Sequence, residues 1–251
     1  MVLGAGAGRR LAPLTRIRPK PLCPVGGVPL VDLALARATA ALGPAARVAV
    51  NVHHGRSAMT AHLAGRVHLS VEAPAPLGTA GAIGALRGWL DGAAVLVVNG
   101  DTWSTADLAP YVASWDRERV RVVVAGPAEL GPRSRIVASM LPWAVARDLA
   151  AEPTGLYEVC WAPAAAAGVL DVVGCDAPFV DCGTPRDYLV ANLLASGGGS
   201  VIGEGATVEG RIERCVLWPG VRVRAGEVLV DAVRATDALT VLVRPGPRVG
   251  S

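Results

Sequence analysis

The chain has 251 residues, 52% hydrophobic and 18% charged, which allows one large α/β domain or a medium domain followed by a small one. Its net charge of +3 is small and unclustered, which argues against nucleic-acid binding. No apolar run reaches the ~18 residues of a membrane-spanning helix, and the start "MVLGAGAGRR" lacks a signal-peptide pattern. The five widely spaced cysteines include no CxxC pair, so we expect reduced structural thiols in a cytoplasmic protein.

Strand and helix patterns alternate through the first half of the chain. Three valine-rich apolar runs predict buried parallel strands, and four stretches with helical periodicity lie between or beside them. In chain order they are a helix at 30–42, a strand at 47–52, helices at 57–65 and 78–90, a strand at 93–101, a helix at 105–118 and a strand at 119–126. The alternation predicts an α/β domain with a mostly parallel sheet over residues 1–195.

A different pattern follows the glycine-rich segment "LASGGGS" at 194–200. Apolar residues recur six positions apart, at Ile202 and Val208 and again at Leu217, Val223 and Leu229. This period predicts a short left-handed parallel β-helix of two or three coils over residues 196–251. Such domains are often acyltransferases, but no histidine follows His68 here. We therefore interpret the tail as structural or oligomer-forming.

Three alternating glycines, Gly4, Gly6 and Gly8, follow the first apolar residues. Glycine lets the backbone turn tightly and present its N–H groups to phosphate oxygens. The spacing is neither GxGxxG nor a Walker A loop. Taken alone, the glycines fit a phosphate-binding loop or a structural turn.

Lys20 is the only lysine in the chain, and it lies between Pro19 and Pro21. The prolines restrict the backbone around it, so the side chain is a positioned charge. Since every other basic residue apart from histidine is arginine, this position favours a compact ammonium over a wide guanidinium.

The stretch "LGAGAGRRLAPLTRIRPKPLCPVGGVPLVD" resembles the signature of the sugar-1-phosphate nucleotidylyltransferases. The resemblance continues, in the family's order, through "NVHH", "LGTAGAI", "VVNGD" and "FVDCGTPRDYLVAN". It implies a Rossmann-like nucleotidyltransferase domain that uses Mg²⁺ to join an NTP to a sugar 1-phosphate. Such a reaction depends on positioning and charge neutralisation, because the phosphate nucleophile is already an anion near neutral pH.

The resemblance also implies roles for single residues. Arg10 would hold the departing pyrophosphate, Lys20 would contact the reacting phosphates, and Asp101 and Asp181 would bind Mg²⁺. The nucleotide would lie against Leu3, Gly4, Gly6, Gly8, Arg9, Gly78, Thr79 and Gly81, and the sugar against Asn99 and Glu152. The two aspartates are also compatible with structural roles, as a helix cap or turn residue for Asp101 and a turn residue for Asp181.

The sequence departs from the family in two places. Position 9 is usually threonine or serine, and here it is Arg9. Many relatives carry a second lysine that binds the sugar phosphate, which this chain cannot have. Its place would be near "AEP" at 151–153, with Arg133, Arg135 or Arg147 as possible replacements for the charge.

The substrates are the least determined feature. "EAPAPLGTAGAI" resembles the base loop of mannose- and heptose-1-phosphate guanylyltransferases, whereas "NVHH" and "VVNGD" resemble N-acetylmuramate-1-phosphate uridylyltransferases. The small residues Gly78, Ala80 and Gly81 leave room for a purine, so we favour GTP, with UTP, ATP and dTTP as alternatives. We expect a hexose, heptose or cyclitol phosphate acceptor and a homo-oligomer. A non-catalytic regulatory relative that binds nucleotide sugars is the alternative function, and a hexapeptide acyltransferase is the third.

Overall fold

A computed structural model describes residues 1–243 of the chain. Its strands are β1 Val2–Leu3, β2 Pro24–Val25, β3 Val28–Pro29, β4 Ala49–Val52, β5 His68–Val71, β6 Val95–Asn99, β7 Thr102–Ser104, β8 Val120–Ala125, β9 Ile136–Leu141, β10 Leu170–Cys175, β11 Phe179–Asp181, β12 Val201–Ile202, β13 Thr207–Val208, β14 Arg211–Leu217, β15 Arg222–Val223, β16 Val228–Thr236 and β17 Leu239–Leu242.

The α-helices are α1 Leu30–Leu42, α2 Arg56–Leu63, α3 Gly78–Ala85, α4 Arg87–Leu90, α5 Ala109–Ala113, α6 Trp143–Ala146, α7 Ala162–Ala166 and α8 Pro185–Ala195. Short 3₁₀ turns lie at Arg9–Leu11, Leu14–Arg16 and Lys20–Leu22, and a π-helical turn covers Tyr157–Trp161. Within residues 1–243, no helix combines the length and the apolar character needed to cross a membrane.

The chain divides into two compact units. The first unit comprises Met1–Ala7 and Val31–Phe179, and the second comprises Gly8–Leu30 and the chain from Val180 onward. Contacts therefore group residues 8–30 and 180–195 with the tail. The predicted division into domains at 195 and 196 stays a prediction.

A seven-stranded sheet forms the centre of the first unit, in the order β10-β8-β9-β6-β1-β4-β5. Neighbouring strands are parallel except around β9, which runs antiparallel to both β6 and β8. Valines of β4, β6 and β8 are buried because helices cover a sheet of this kind on its faces. The predicted mixed α/β fold with a mostly parallel sheet is confirmed.

Two of the predicted helices differ from the observed ones. The helix predicted at 78–90 is interrupted at Leu86, between α3 and α4. The one predicted at 105–118 shrinks to the five residues of α5, because Pro110 suits only the first turn of a helix and the chain leaves the helix after Ala113. The antiparallel β9 and the edge strand β10 were not predicted.

The second unit contains parallel strands from the tail. β12, β14 and β16 form a parallel set to which β17 adds an antiparallel edge, and β13 pairs in parallel with β15. Paired residues are 15 positions apart between β12 and β14, as in Val201 with Val216, and 17 apart between β14 and β16, as in Cys215 with Ala232. Neither step is a multiple of six.

The six-residue pattern marks burial in only part of the tail. Leu217, Val223 and Leu229 are buried, whereas Ile202 is 53% exposed. The interior of the second unit also contains Trp218, whose Nε1 donates a hydrogen bond of 3.0 Å to the hydroxyl of Tyr188 on α8.

Candidate active site

Three of the predicted catalytic and metal-binding residues meet in the second unit. The Lys20 Nζ donates a hydrogen bond of 2.9 Å to Oδ1 of Asp181, and an Nη of Arg10 lies 3.3 Å from Oδ2 of the same carboxylate. The Lys20 side chain is 5% exposed, whereas those of Asp181 and Arg10 are 44% and 73% exposed. One carboxylate therefore faces two cations, one buried and one open to solvent.

The backbone around Lys20 explains its placement. Pro19 is extended, and the 3₁₀ turn Lys20–Leu22 follows with Pro21 inside it. The N–H of Cys23 bonds to the carbonyl oxygen of Lys20 at 3.0 Å, which closes the turn. The prolines thus restrict the backbone of the buried lysine, as the sequence predicted.

Gly8 and Gly183 are placed where a larger residue would collide with this cluster. Gly8 has a φ of +59°, and a Cβ there would lie 2.9 Å from the Cβ of Lys20. A Cβ on Gly183 would lie 2.9 Å from an Nη of Arg10 and 3.2 Å from Asp181 Oδ2. Glycine at both positions lets the backbone approach the charged groups closely.

Asp181 owes its position to a strand-to-helix turn. It ends β11, and α8 begins at Pro185 after the turn that contains Gly183. The Thr184 hydroxyl accepts a hydrogen bond of 3.2 Å from the N–H of Asp187, which caps the helix.

A cavity of about 310 Å³ lies in the first unit, where β1 and β6 end. Three predicted ligand-contacting residues line it together: Leu3, Thr79 and Asn99. Open α/β sheets bind ligands at the carboxyl ends of their strands, so the position is typical of a binding site. The cavity is also lined by the π-helical turn, through Tyr157, Glu158 and Trp161, which the sequence analysis did not identify.

A buried hydrogen-bond network connects the first glycine turn to the loop before α3. The N–H of Gly4 donates to Oδ1 of Asn51 at 2.8 Å, and Nδ2 of Asn51 donates to Oε1 of Glu72 at 2.7 Å. The other carboxylate oxygen of Glu72 accepts the N–H of Leu77 at 2.8 Å. Asn51 and Glu72 are each 2% exposed, so both loops depend on the same buried side chains.

Neither Asn51 nor Glu72 was named as a functional residue, although both lie in quoted motifs, "NVHH" and "EAPAPLGTAGAI". The next two side chains after Val52, those of His53 and His54, contact the backbone of the same two loops. His53 Nδ1 lies 2.9 Å from the carbonyl oxygen of Glu72, and His54 Nδ1 lies 3.0 Å from that of Ala5.

The glycines of "GTAG" have a packing role in the structure. A Cβ on Gly78 would lie 2.5 Å from the carbonyl oxygen of Thr154, and one on Gly81 would collide with the carbonyl oxygen of Glu152. The Thr79 hydroxyl accepts a hydrogen bond of 2.7 Å from the N–H of Leu156. Helix α3 is therefore bound closely to the segment that leads into the π-helical turn, and its contact with a nucleotide stays a prediction.

The remaining predicted site residues are Asp101, Gly6, Arg9 and Glu152. Asp101 lies in the turn after β6, two residues beyond Asn99, in the first unit. Its predicted convergence with Asp181 remains a prediction. Gly6 faces open space, and a Cβ added there would meet no heavy atom within 4 Å among the described residues. Arg9 is exposed in the first 3₁₀ turn, and Glu152 is exposed in the loop after α6 and does not line the cavity.

Metal-ligand clusters and disulfides are not found among residues 1–243. In that part of the chain, no group of three or more His, Cys, Asp or Glu side chains is placed to hold a metal ion. All five cysteines are buried, and none of them is in a disulfide within the described residues. Burial raises the pKa of Cys23 to about 12 and that of Cys160 to about 11, so both stay protonated and inert at neutral pH.

Comparison with known proteins identifies relatives of the first half of the chain. Residues 1–130 match the model of the nucleotidyl transferase family. An N-acetylmuramate alpha-1-phosphate uridylyltransferase of Caulobacter vibrioides is 38% identical over 134 residues, which cover 49% of this chain and 54% of that protein. A mannose-1-phosphate guanylyltransferase of Mycobacterium tuberculosis is 37% identical over 116 residues, covering 43% of this chain and 31% of that one. The chain thus spans about half and about a third of the lengths of these curated relatives.

Solved structures share the fold. One described as a mannose-1-phosphate geranyltransferase from Thermus thermophilus superposes with a TM-score of 0.69 at 21% identity, covering 96% of this chain and 93% of that one. A putative glucose-1-phosphate thymidylyltransferase from Bacillus anthracis gives 0.65 at 18% identity, covering 77% of this chain and 93% of that one. The family model spans more than half of the residues, and the sequence signature lies within it, so this chain belongs to the nucleotidyl transferase family.

Proposed function

We propose that the protein is a sugar-1-phosphate nucleotidyltransferase, which transfers a nucleoside monophosphate from an NTP to a sugar 1-phosphate. The observation that carries this proposal is the Lys20–Asp181–Arg10 cluster, in which the only lysine of the chain is buried against a carboxylate. Family membership and the printed activities of both curated relatives support it.

The reaction requires little chemistry from protein side chains. A sugar phosphate oxygen forms a bond to the α-phosphorus, the bond from that phosphorus to the bridging oxygen breaks, and pyrophosphate leaves with the electron pair. The second pKa of a phosphate monoester is ~6, so the nucleophile needs no strong general base near neutral pH. Catalysis consists of alignment and neutralisation of negative charge.

Lys20 and Arg10 supply the positive charge in this proposal. Both cations contact Asp181, and phosphate oxygens of the substrates would become their partners during the reaction. Arg10 is mostly exposed and free to follow a leaving pyrophosphate, whereas Lys20 is buried and rigid. The open surroundings of Gly6 leave room for a phosphate group to approach the backbone.

Asp101 and Asp181 are the residues proposed to hold Mg²⁺. Carboxylate oxygens are ligands that suit this hard cation, which usually takes only one or two from the protein together with substrate phosphates. The Asp181 carboxylate is partly exposed, and each of its oxygens can accept more than one partner, so it fits this use. When bound, the ion would neutralise charge on the phosphates during transfer.

We further propose GTP as the preferred nucleotide and a hexose, heptose or cyclitol phosphate as the acceptor. The guanylyltransferase relative supports GTP, while the uridylyltransferase relative makes UTP the first alternative. The glycines of α3 add no support, because backbone atoms of Thr154 and Glu152 occupy the space beside Gly78 and Gly81. The tail is proposed to form a short left-handed β-helix that mediates self-association. Its parallel strands, and exposed apolar residues such as Val228 and Leu242, support that proposal.

Pyrophosphate release over a matrix of four NTPs and several sugar 1-phosphates tests the activity directly. We expect turnover that depends on Mg²⁺ and is fastest with GTP. Absence of turnover with every pair would contradict the proposed function, and tight nucleotide-sugar binding without turnover would indicate the regulatory alternative. Displacement of a labelled nucleotide at least tenfold better by UTP or ATP than by GTP, roughly 1.4 kcal/mol, would refute the guanylyl assignment.

A further inference from the structure

Asn51 reaches the glycine turn at residues 4–6 from the neighbouring strand β4. Strand β1 pairs in parallel with β4, with Leu3 opposite Asn51, and β1 ends at that residue. The N–H of Gly4 follows directly and donates to Oδ1 of Asn51 at 2.8 Å. A Cβ on Gly4 would lie 3.1 Å from the carbonyl oxygen of Asn51, so the turn also packs closely against this residue. Asn51 therefore fixes the position at which the turn begins.

Glu72 continues the hydrogen bonds of Asn51 to the loop before α3. One carboxylate oxygen of Glu72 accepts Nδ2 of Asn51 at 2.7 Å, and the other accepts the N–H of Leu77 at 2.8 Å. Leu77 immediately precedes α3, and its carbonyl oxygen accepts the N–H of Thr154 at 3.0 Å. Three hydrogen bonds through two buried side chains thus connect the backbone of Gly4 with that of Leu77.

The same strand end contacts both loops a second time. His53 Nδ1 lies 2.9 Å from the carbonyl oxygen of Glu72, and His54 Nδ1 lies 3.0 Å from that of Ala5. The segment 51–54 therefore contacts the glycine turn through two of its side chains and the Glu72 loop through two. This repetition makes the segment a bridge between the loops.

Stability alone does not account for a buried carboxylate at this place. Glu72 is buried, and within residues 1–243 no lysine or arginine forms an ion pair with it. Buried charged groups can often be replaced by apolar side chains with no loss of stability. A polar network in which every member has its partner instead provides a single fixed geometry. The connection between Asn51 and Glu72 is thus better explained by the positions that it imposes on the two loops.

We infer that Asn51 is a positioning residue for the nucleotide, which through Glu72 sets the spacing between the glycine turn and the loop before α3. This inference rests on the proposed function, in which the phosphates approach the glycine turn and the base lies against α3. Both side chains are buried, so they act through the backbone of Gly4 and Leu77 and not by touching the NTP. A fixed spacing lets the phosphate and base contacts of one NTP form together, and a displaced loop weakens binding although every contacting residue is still present.

An exchange of the two side-chain types tests the inference. In Glu72→Gln an N–H₂ group faces a donor, either Nδ2 of Asn51 or the N–H of Leu77, so one bond of the network is lost. In Asn51→Asp two carboxylates face each other. In the double variant Asn51→Asp with Glu72→Gln, the glutamine donates to the aspartate and accepts from Leu77, while the aspartate still accepts from Gly4. All three hydrogen bonds are then restored, and the net charge is that of the wild type.

Calorimetric titration of GTP and of UTP into the full-length protein measures affinity without requiring turnover. We expect each single variant to bind the better of the two nucleotides about tenfold more weakly, and the double variant to recover to within about threefold of the wild type. Asp171→Asn is the matched control, because it breaks a 2.6 Å ion pair with Arg121 elsewhere in the same unit. It should lower the urea midpoint and leave nucleotide affinity unchanged. In steady-state kinetics, the single variants should raise KM for the NTP and leave KM for the sugar phosphate unchanged.

A purely structural role predicts a different result. Single variants that lose stability in urea but keep their nucleotide affinity would overturn the inference, as would equal weakening by Asp171→Asn. A double variant that fails to recover, in folding or in affinity, or a wild type that binds neither nucleotide, would also overturn it. If Asn51→Asp does not fold, the comparison of Glu72→Gln with the double variant still decides. Recovery of nucleotide binding in a protein that releases no pyrophosphate with any sugar 1-phosphate would support the inference and refute only the proposed function.

Discussion

Lys20 and Asp181 form an ion pair of 2.9 Å across 161 residues of sequence, within one compact unit. The lysine is almost fully buried, and the carboxylate is partly open to solvent. The positive charge is thus on a buried side chain, while the carboxylate that pairs with it remains accessible to another ligand. This relationship is the basis of the first two predictions.

Lys20→Arg should reduce kcat/KM at least tenfold, which corresponds to about 1.4 kcal/mol of transition-state stabilisation. The charge is kept, but the guanidinium is wider than the ammonium, and the backbone of Gly8 packs directly against the lysine side chain. Steady-state kinetics with the best NTP and sugar phosphate measure the effect. Arg16→Lys, an exposed swap in the same segment, is the control. Near-normal turnover in Lys20→Arg would mean that the lone lysine has no special role.

Asp101→Asn and Asp181→Asn should each abolish metal-dependent turnover while leaving the protein folded. An amide keeps the shape of the side chain but removes the negative charge that binds Mg²⁺. Activity as a function of Mg²⁺ concentration and thermal unfolding are measured on the same samples. Asp176→Asn, on an exposed loop, is the control and should retain its rate. A variant that keeps its rate would show that its carboxylate is structural.

Gly6→Ala and Gly8→Ala should separate activity from stability. The backbone of Gly8 has a left-handed conformation, and a Cβ there would collide with Lys20. Alanine at this position should therefore lower the free energy of unfolding by about 1–2 kcal/mol and the melting temperature by several degrees. Gly6 has open space around it, so alanine should leave the melting temperature unchanged and hinder only a bound phosphate. Calorimetric unfolding and initial rates measure the two effects. Full activity of Gly6→Ala would remove Gly6 from the phosphate loop.

Glu72→Gln should lower the free energy of unfolding by about 1–3 kcal/mol. Both carboxylate oxygens accept buried N–H donors, from Asn51 and Leu77, and a glutamine would turn an N–H₂ towards one of them. Urea denaturation measures the loss, with Glu118→Gln as an exposed control. Since the network holds Gly4 and the loop before α3, we also expect a higher KM for the NTP. An unchanged unfolding midpoint would show that the network contributes little.

The tail should mediate self-association through residues 200–251. Strands at the edge of a sheet leave backbone groups and apolar side chains open, as at Leu242 of the edge strand β17, which is 69% exposed. Sedimentation of the full-length protein should show a dimer or a larger oligomer. A monomer at micromolar concentrations would contradict this prediction.

The sequence by itself determined the local features of this protein. Valine-rich runs predict the buried strands β4, β6 and β8, because a sheet covered on both faces requires apolar side chains on both sides. The prolines around Lys20 restrict its backbone without help from distant residues. The glycine-rich signature likewise identifies the family, because its spacing is specific over a long continuous stretch.

The tertiary structure alone decided which distant residues meet. That Asp181 pairs with Lys20, and that Glu72 joins two loops through Asn51, depends on strand order and on buried hydrogen bonds, which no local pattern encodes. The sugar contact predicted at Glu152 stays a prediction. That Glu158 and not Glu152 lines the cavity became visible only in the tertiary structure, in which α3 packs closely at Gly78 and Gly81 against residues 152–154. Periodicity reports which side chains are buried, but only the packed fold decides against which neighbours they lie.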